Sequence, residues 1–195
     1  MIINNSSVVI DNDSLCHLAD TNLPEDTIVR DVKRLFEGYN SVAIVHPLVY
    51  KNEVPPSNHT INRFFDEKII QAPKIEDVYQ SDELKKQYYI LTLLDLYRSY
   101  FGVELEIPED EIFLTWKKKC SLGELHSLVM CLVCDCQIFI SDDKDSKAIK
   151  TLIESKLHTS IKVFDRKEAF NNLPQDEKQK IPSAERKRLS HIRCS

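Results

Sequence analysis

Short apolar, largely β-branched runs alternate along this chain with longer stretches in which apolar side chains recur every three or four positions. The runs are at residues 8–10 (VVI), 41–45 (SVAIV), 137–140 (QIFI) and 160–164 (SIKVF). Runs this short, flanked by polar residues, predict buried strands. The helical spacing covers 14–20, about 26–36, about 83–100, 122–134 and about 144–156. Strands that alternate with helices predict a parallel sheet covered on both faces, an α/β domain with three α/β/α layers. Between Val54 and Trp116 no strand is predicted. That stretch opens in a Pro-Pro turn, contains the amphipathic KKQYYILTLLDLYRSY, and reads as a helical insertion at about 55–117 of a domain spanning 1–165. After Phe170 the pattern is at best weakly helical.

Length and composition narrow the class. The chain has 195 residues, 42% of them hydrophobic and 29% charged, with a net charge of −5. That suffices for one domain with a sizeable core. No run approaches the roughly 18 apolar residues of a membrane span. The first residues, MIINNSSVVIDND, lack the basic and apolar regions of a signal peptide, so a cytoplasmic protein with no membrane partner is expected. Six cysteines are then expected as buried thiols. The CLVCDC cluster, Cys131 to Cys136, has no second ligand pair nearby to complete a zinc site. Charge is uneven: residues 165–195 carry eight basic and five acidic side chains. This basic C-terminal tail, 166–195, reads as solvated and mobile.

The chemistry concentrates where the predicted strands end. Asp11 directly follows its strand, and Asp142 follows its own after only Ser141, although 131 residues separate the two acids. In open parallel sheets ligands gather at the carboxyl ends of strands, so both acids are expected on one edge. Helix capping explains each acid singly. Asp13 is placed to cap the helix at Ser14, Asp142 and Asp143 to favour the next helix start, and Ser121 with Glu124 to form a capping box. Capping does not explain why several strand ends carry acids together. An aspartyl-phosphate nucleophile is a second reading, because VVIDNDSL resembles the first motif of haloacid-dehalogenase phosphatases, with Asp11 attacking phosphorus and Asp13 as general acid. There the resemblance stops: Leu15 replaces the usual hydroxyl, and Asp142-Asp143-Lys144-Asp145 lacks that family's later acid spacing. A metal-dependent nuclease is the third reading, since Mg²⁺ or Mn²⁺ favours oxygen ligands and offsets charge on a phosphodiester.

Two separate segments resemble the PIN-domain ribonucleases. VVIDNDSLCHL resembles that family's opening strand and helix, in which an aspartate ends the strand. CSLGELHSLVMCLVCDCQIFISDDKDSKAI resembles its later segment, which begins Gly-Glu on a helix, enters a strand and ends Asp-Asp before another helix. The resemblance implies a PIN-like fold over roughly 1–54 and 118–165. It implies Asp11, Glu124 and Asp142 as catalytic acids and Asp143 as a fellow metal ligand. Glu53, in VAIVHPLVYKNEVPP, takes the place of the remaining acid. It also implies Mg²⁺ or Mn²⁺ as cofactor and endoribonuclease activity that leaves a 5′-phosphate and a 3′-hydroxyl. Many compact members are toxins held by a cognate inhibitor protein, and many are homodimers; these residues leave both open. A PIN fold kept only as an RNA- or protein-binding module is the alternative.

Lys117, Lys118 and Lys119, with Lys144 and Lys147, are the candidate contacts to the RNA backbone. The ERKR run at 185–188 is a further candidate. Such contacts give affinity without sequence readout. His46 and His126 are not needed as bases beside a metal. Trp116 and the pair Tyr88-Tyr89 are expected to pack.

Overall fold

The computed structural model describes residues 3, 6–20, 22–116 and 121–190. Five strands form one sheet: β1 (Val8–Ile10), β2 (Ala43–Ile44), β3 (Ile70–Gln71), β4 (Ile138–Ile140) and β5 (Lys162–Phe164). Every pairing is parallel, and the order is β3-β2-β1-β4-β5. Eleven helices connect or follow them among the described residues: α1 (Asn12–Ala19), α2 (Glu25–Glu37), α3 (Pro47–Asn52), α4 (His59–Asp66), α5 (Ile75–Val78), α6 (Glu83–Phe101), α7 (Leu122–Val133), α8 (Lys144–Leu157), α9 (Arg166–Asn171), α10 (Gln175–Lys180) and α11 (Ser183–Ser190).

Strand side chains alternate between the two faces, and each face has its own core. Val9, Ile44, Phe139 and Val163 meet α6, α7 and α8, whose contributions include Tyr89, Leu93, Leu125, Val129 and Ile149. Val8, Ile10, Ala43 and Ile140 turn the other way, onto Leu15, Leu18, Val29, Val32, Ile61 and Phe64 of α1, α2 and α4. The result is the expected three-layer α/β/α arrangement. No helix among the described residues is long and apolar enough to cross a membrane.

Two expectations change. The stretch from Val54 to Trp116 is not purely a helical insertion, because Ile70 and Gln71 pair with Ala43 and Ile44 as an edge strand. Two residues between Lys68 at positive φ and Pro73 are too short to register as a strand pattern. The tail from 166 is not a loose basic arm over its described length. Phe170, Leu173, Ile181 and Leu189 pack on Leu35 of α2 and on Tyr39 just after it. Glu185 is buried and ion-paired with Arg34 and Arg30. Four apolar residues scattered among charges carry no clean period, and they bury on a partner surface that sequence alone does not display.

Candidate acidic site at the carboxyl edge of the sheet

Strand order reverses around β1, so the carboxyl ends of β1 and β4 flank the crevice where ligands collect in doubly wound sheets. The chain places Asp11 and Asp142 there. The backbone N–H of Asp11 donates to Ile140 O at 3.0 Å, which extends the β1–β4 ladder by one residue. The side chain of Asp11, rather than Asp13, caps α1: Oδ1 accepts from the Ser14 N–H at 2.7 Å. Asp11 is only 4% exposed, and its Oδ2 has no hydrogen-bond partner. Burial pushes its carboxyl up to about 7, with the Ser141 and Ser14 groups acting against the rise and the charge of Asp13 adding to it.

Asp142 is held differently. Its backbone N–H donates to Ser14 Oγ at 2.9 Å, so one serine ties the two strand ends together. Its Oδ2 is ion-paired with the buried Arg166 Nε and lies 3.3 Å from His17 Nδ1, and its Oδ1 accepts from the Arg166 backbone N–H at 3.3 Å. A cation internal to the chain, Arg166, therefore engages this carboxylate.

Asp143 caps α8, accepting from the Asp145 N–H at 2.8 Å. Glu124 is not part of a capping box. Ser121 sits at φ 63°, makes no side-chain cap, and donates its hydroxyl to Asp145 instead. A residue in the left-handed region directs its side chain away from the helix start, which leaves the Glu124 carboxylate unspent. Burial pushes Glu124 up to about 7 against the pull of its own backbone N–H, and the charges of Asp11, Asp143 and Glu53 add to the rise.

Glu53 ends α3 and reaches toward α7. A Cβ on Gly123 would stand 3.0 Å from Glu53 Oε1 and 3.3 Å from Oε2. The missing side chain at Gly123 is thus the space the Glu53 carboxylate occupies. Burial raises Glu53 too, with the charge of Asp13 adding. Glu124 thus feels the charges of Asp11, Asp143 and Glu53, and Asp13 acts on Asp11 and Glu53. Among the described residues no three such donor side chains stand within reach of a single ion, so the acids interact at charge–charge range rather than as a formed cage.

The lysines divide. Lys117, Lys118 and Lys119 lie outside the described residues. Lys144 is exposed at the start of α8, beside Asp143, whereas Lys147 is ion-paired with Glu168 at 3.0 Å. His46 and His126 are fully buried away from the acids, both bonded to the Tyr89 hydroxyl, and Trp116 stacks on His126. Cys131, Cys134 and Cys136 are buried in the core.

Sequence reasoning missed Arg166, His17, Ser14 and Tyr100. Tyr100, in the last turn of α6, is pushed up to about 12 by burial, by its hydrogen bond to Asp145, and by the charges of Asp145, Asp143 and Glu124. The Arg166 signal was present in principle, as a cation just past a strand end (VFDR), but its partner is 24 residues earlier. No protein-family model, curated protein or solved structure matches this chain.

Proposed function

We propose that this chain is a metal-dependent endoribonuclease whose reaction takes place at the acids on the carboxyl edge of the sheet. The observation that supports the reading best is Asp11, a buried carboxylate with one unpartnered oxygen at the reversal point of a parallel sheet. Its charge acts on Glu124, which is not spent on a cap. Burying several carboxylates together is costly unless a cation or protons offset their charge. The donors are all oxygens, which suits Mg²⁺ or Mn²⁺ rather than zinc. Asp11 and Glu124 would hold the ion, with Glu53 and Asp143 beside them. Such an ion supplies a counter-charge for phosphodiester hydrolysis and favours ionised water near neutral pH. Asp142 is the positioning carboxylate in this reading, because Arg166 already neutralises it and its backbone N–H fixes Ser14 beside Asp11.

The paired state of Asp142 also favours a second reading, a PIN-type fold kept as an RNA- or protein-binding module. One assay separates the two. The purified protein is given single-stranded RNA with Mn²⁺, Mg²⁺ or EDTA, beside folded Asp11→Asn and Glu124→Gln variants. The nuclease reading expects cleavage that needs metal and falls at least about a hundredfold in both variants. Retained RNA binding without cleavage favours the binding module. A covalent phosphoenzyme formed on small phosphomonoesters would instead favour the dehalogenase-type alternative.

A further inference from the structure

A groove beside the edge strand β3 lies apart from the acids. It is an open depression of about 440 Å³ lined by Tyr50, Phe65, Lys68, Ile70, Gln71 and Ala72. Ligand pockets begin at roughly 300 Å³, so one nucleotide fits. The Tyr50 and Phe65 rings meet at 4.7 Å between centroids with 56° between their planes. Tyr50 is nonetheless 43% exposed, which leaves a large part of its aromatic surface open to the groove. Lys68 is exposed, and the Gln71 side chain is half-buried.

Helix α3 links this groove to the acids. Tyr50 lies in α3, and Glu53 follows three residues later as the residue that ends it. Tyr50 leans on α4 through Phe65, while Glu53 leans on α7 at Gly123. A polynucleotide strand that crosses α3 therefore has a stacking ring on one flank and carboxylates on the other.

We propose that this groove is a nucleotide subsite for a single strand, with a base stacked on Tyr50 and a backbone phosphate near Lys68. The assignment rests on the nuclease reading above and names where the substrate strand lies. Stacking on an exposed ring is tolerant of base identity and requires unpaired bases, so single-stranded substrate is specified. An extended peptide added to the edge of β3 is the less favoured occupant. The strand offers only two residues, Lys68 before it turns at φ 57°, and Pro73 after it has no N–H to donate.

The test is fluorescence anisotropy of a labelled single-stranded RNA on the full chain in EDTA, with cleavage in Mn²⁺ followed on the same preparations. Tyr50→Ala is expected to weaken single-strand binding about tenfold, and Tyr50→Phe, which keeps the ring, to stay within about twofold of the wild type. Tyr88→Ala, which removes another exposed ring on α6 (46% exposed), is the control expected to bind unchanged. Unchanged single-strand binding by folded Tyr50→Ala overturns the subsite, as does an equal loss on duplex and single strand. If the wild type cleaves while Tyr50→Ala binds normally, only the subsite fails. If Tyr50-dependent binding occurs without cleavage, the subsite stands and the nuclease reading fails. If the wild type neither binds nor cleaves, both fail.

Discussion

A carboxylate buried with one oxygen unpaired is costly to keep ionised, and Asp11 is held that way by its position. The Ser14 N–H fixes one oxygen as a helix cap, the β1–β4 ladder fixes the backbone, and the second oxygen has no partner. Gly123 is the matching device on the opposite side. Its missing Cβ admits the Glu53 carboxylate, so the glycine before Glu124 has a steric purpose in the first turn of α7, where alanine is the better helix former. Gly123→Ala is therefore expected to keep or slightly raise the thermal midpoint while weakening Mn²⁺ binding several-fold, through displacement of Glu53. A calorimetric melt and a Mn²⁺ titration on one preparation check both halves. Unchanged Mn²⁺ affinity would remove Glu53 from the site.

At the scale of elements, helix starts divide the acids into those that are spent and those that remain. Asp11 and Asp143 each cap a helix and retain a second oxygen, whereas α7 begins from Ser121 in the left-handed region and leaves Glu124 uncapped. Deeper in the core, three helices meet on one hydroxyl. His46, at the start of α3, accepts the Leu48 N–H on Nδ1 at 3.2 Å, so its proton sits on Nε2 and donates to Tyr89 of α6 at 3.0 Å. The Tyr89 hydroxyl in turn donates to the His126 carbonyl of α7 at 3.1 Å and lies 2.6 Å from His126 Nδ1. Burial holds His46 well below the ordinary range, with the charge of His126 adding, and holds His126 at about 3. A histidine depressed in this way contributes stability that is present above about pH 6.5 and is lost as pH falls toward its folded value. Asp11 and Glu124, raised to about 7, act with the opposite sign: their contribution is present below about pH 4 and is lost as pH rises through 7. The histidine contribution is read in the Asp11→Asn, Glu124→Gln double variant in EDTA, where the raised Glu53 still opposes it. Its urea midpoint is expected to fall between about pH 7 and pH 5, by about 2 kcal/mol in stability for each histidine held neutral. A flat profile would mean that the histidines are not held neutral by the fold.

Across the whole molecule, much of this organisation was legible along the chain. The four runs at 8–10, 41–45, 137–140 and 160–164 each contain an observed strand, because full burial on both faces forces continuous apolar sequence. Asp11 and Asp142 could be placed on one edge because each follows its strand within two residues. The edge strand β3 could not be read, since two residues between turns carry no pattern. Nor could the C-terminal helices, whose apolar residues follow no period and are completed by α2. Side-chain state lay further out of reach. Nothing in the order of residues says that Arg166 neutralises Asp142, or that Ser121 turns its hydroxyl to Asp145 rather than capping Glu124. Those choices depend on contacts across the fold. The proposal that Asp11 and Glu124 hold one cation, with Glu53 and Asp143 beside them, is tested most directly by Mn²⁺ binding, read from the loss of the free-ion electron paramagnetic resonance signal. The account predicts saturable binding by the wild type that Asp11→Asn and Glu124→Gln each weaken at least about tenfold, with both variants folded. No saturable binding by the wild type, or binding that both variants retain, would contradict it.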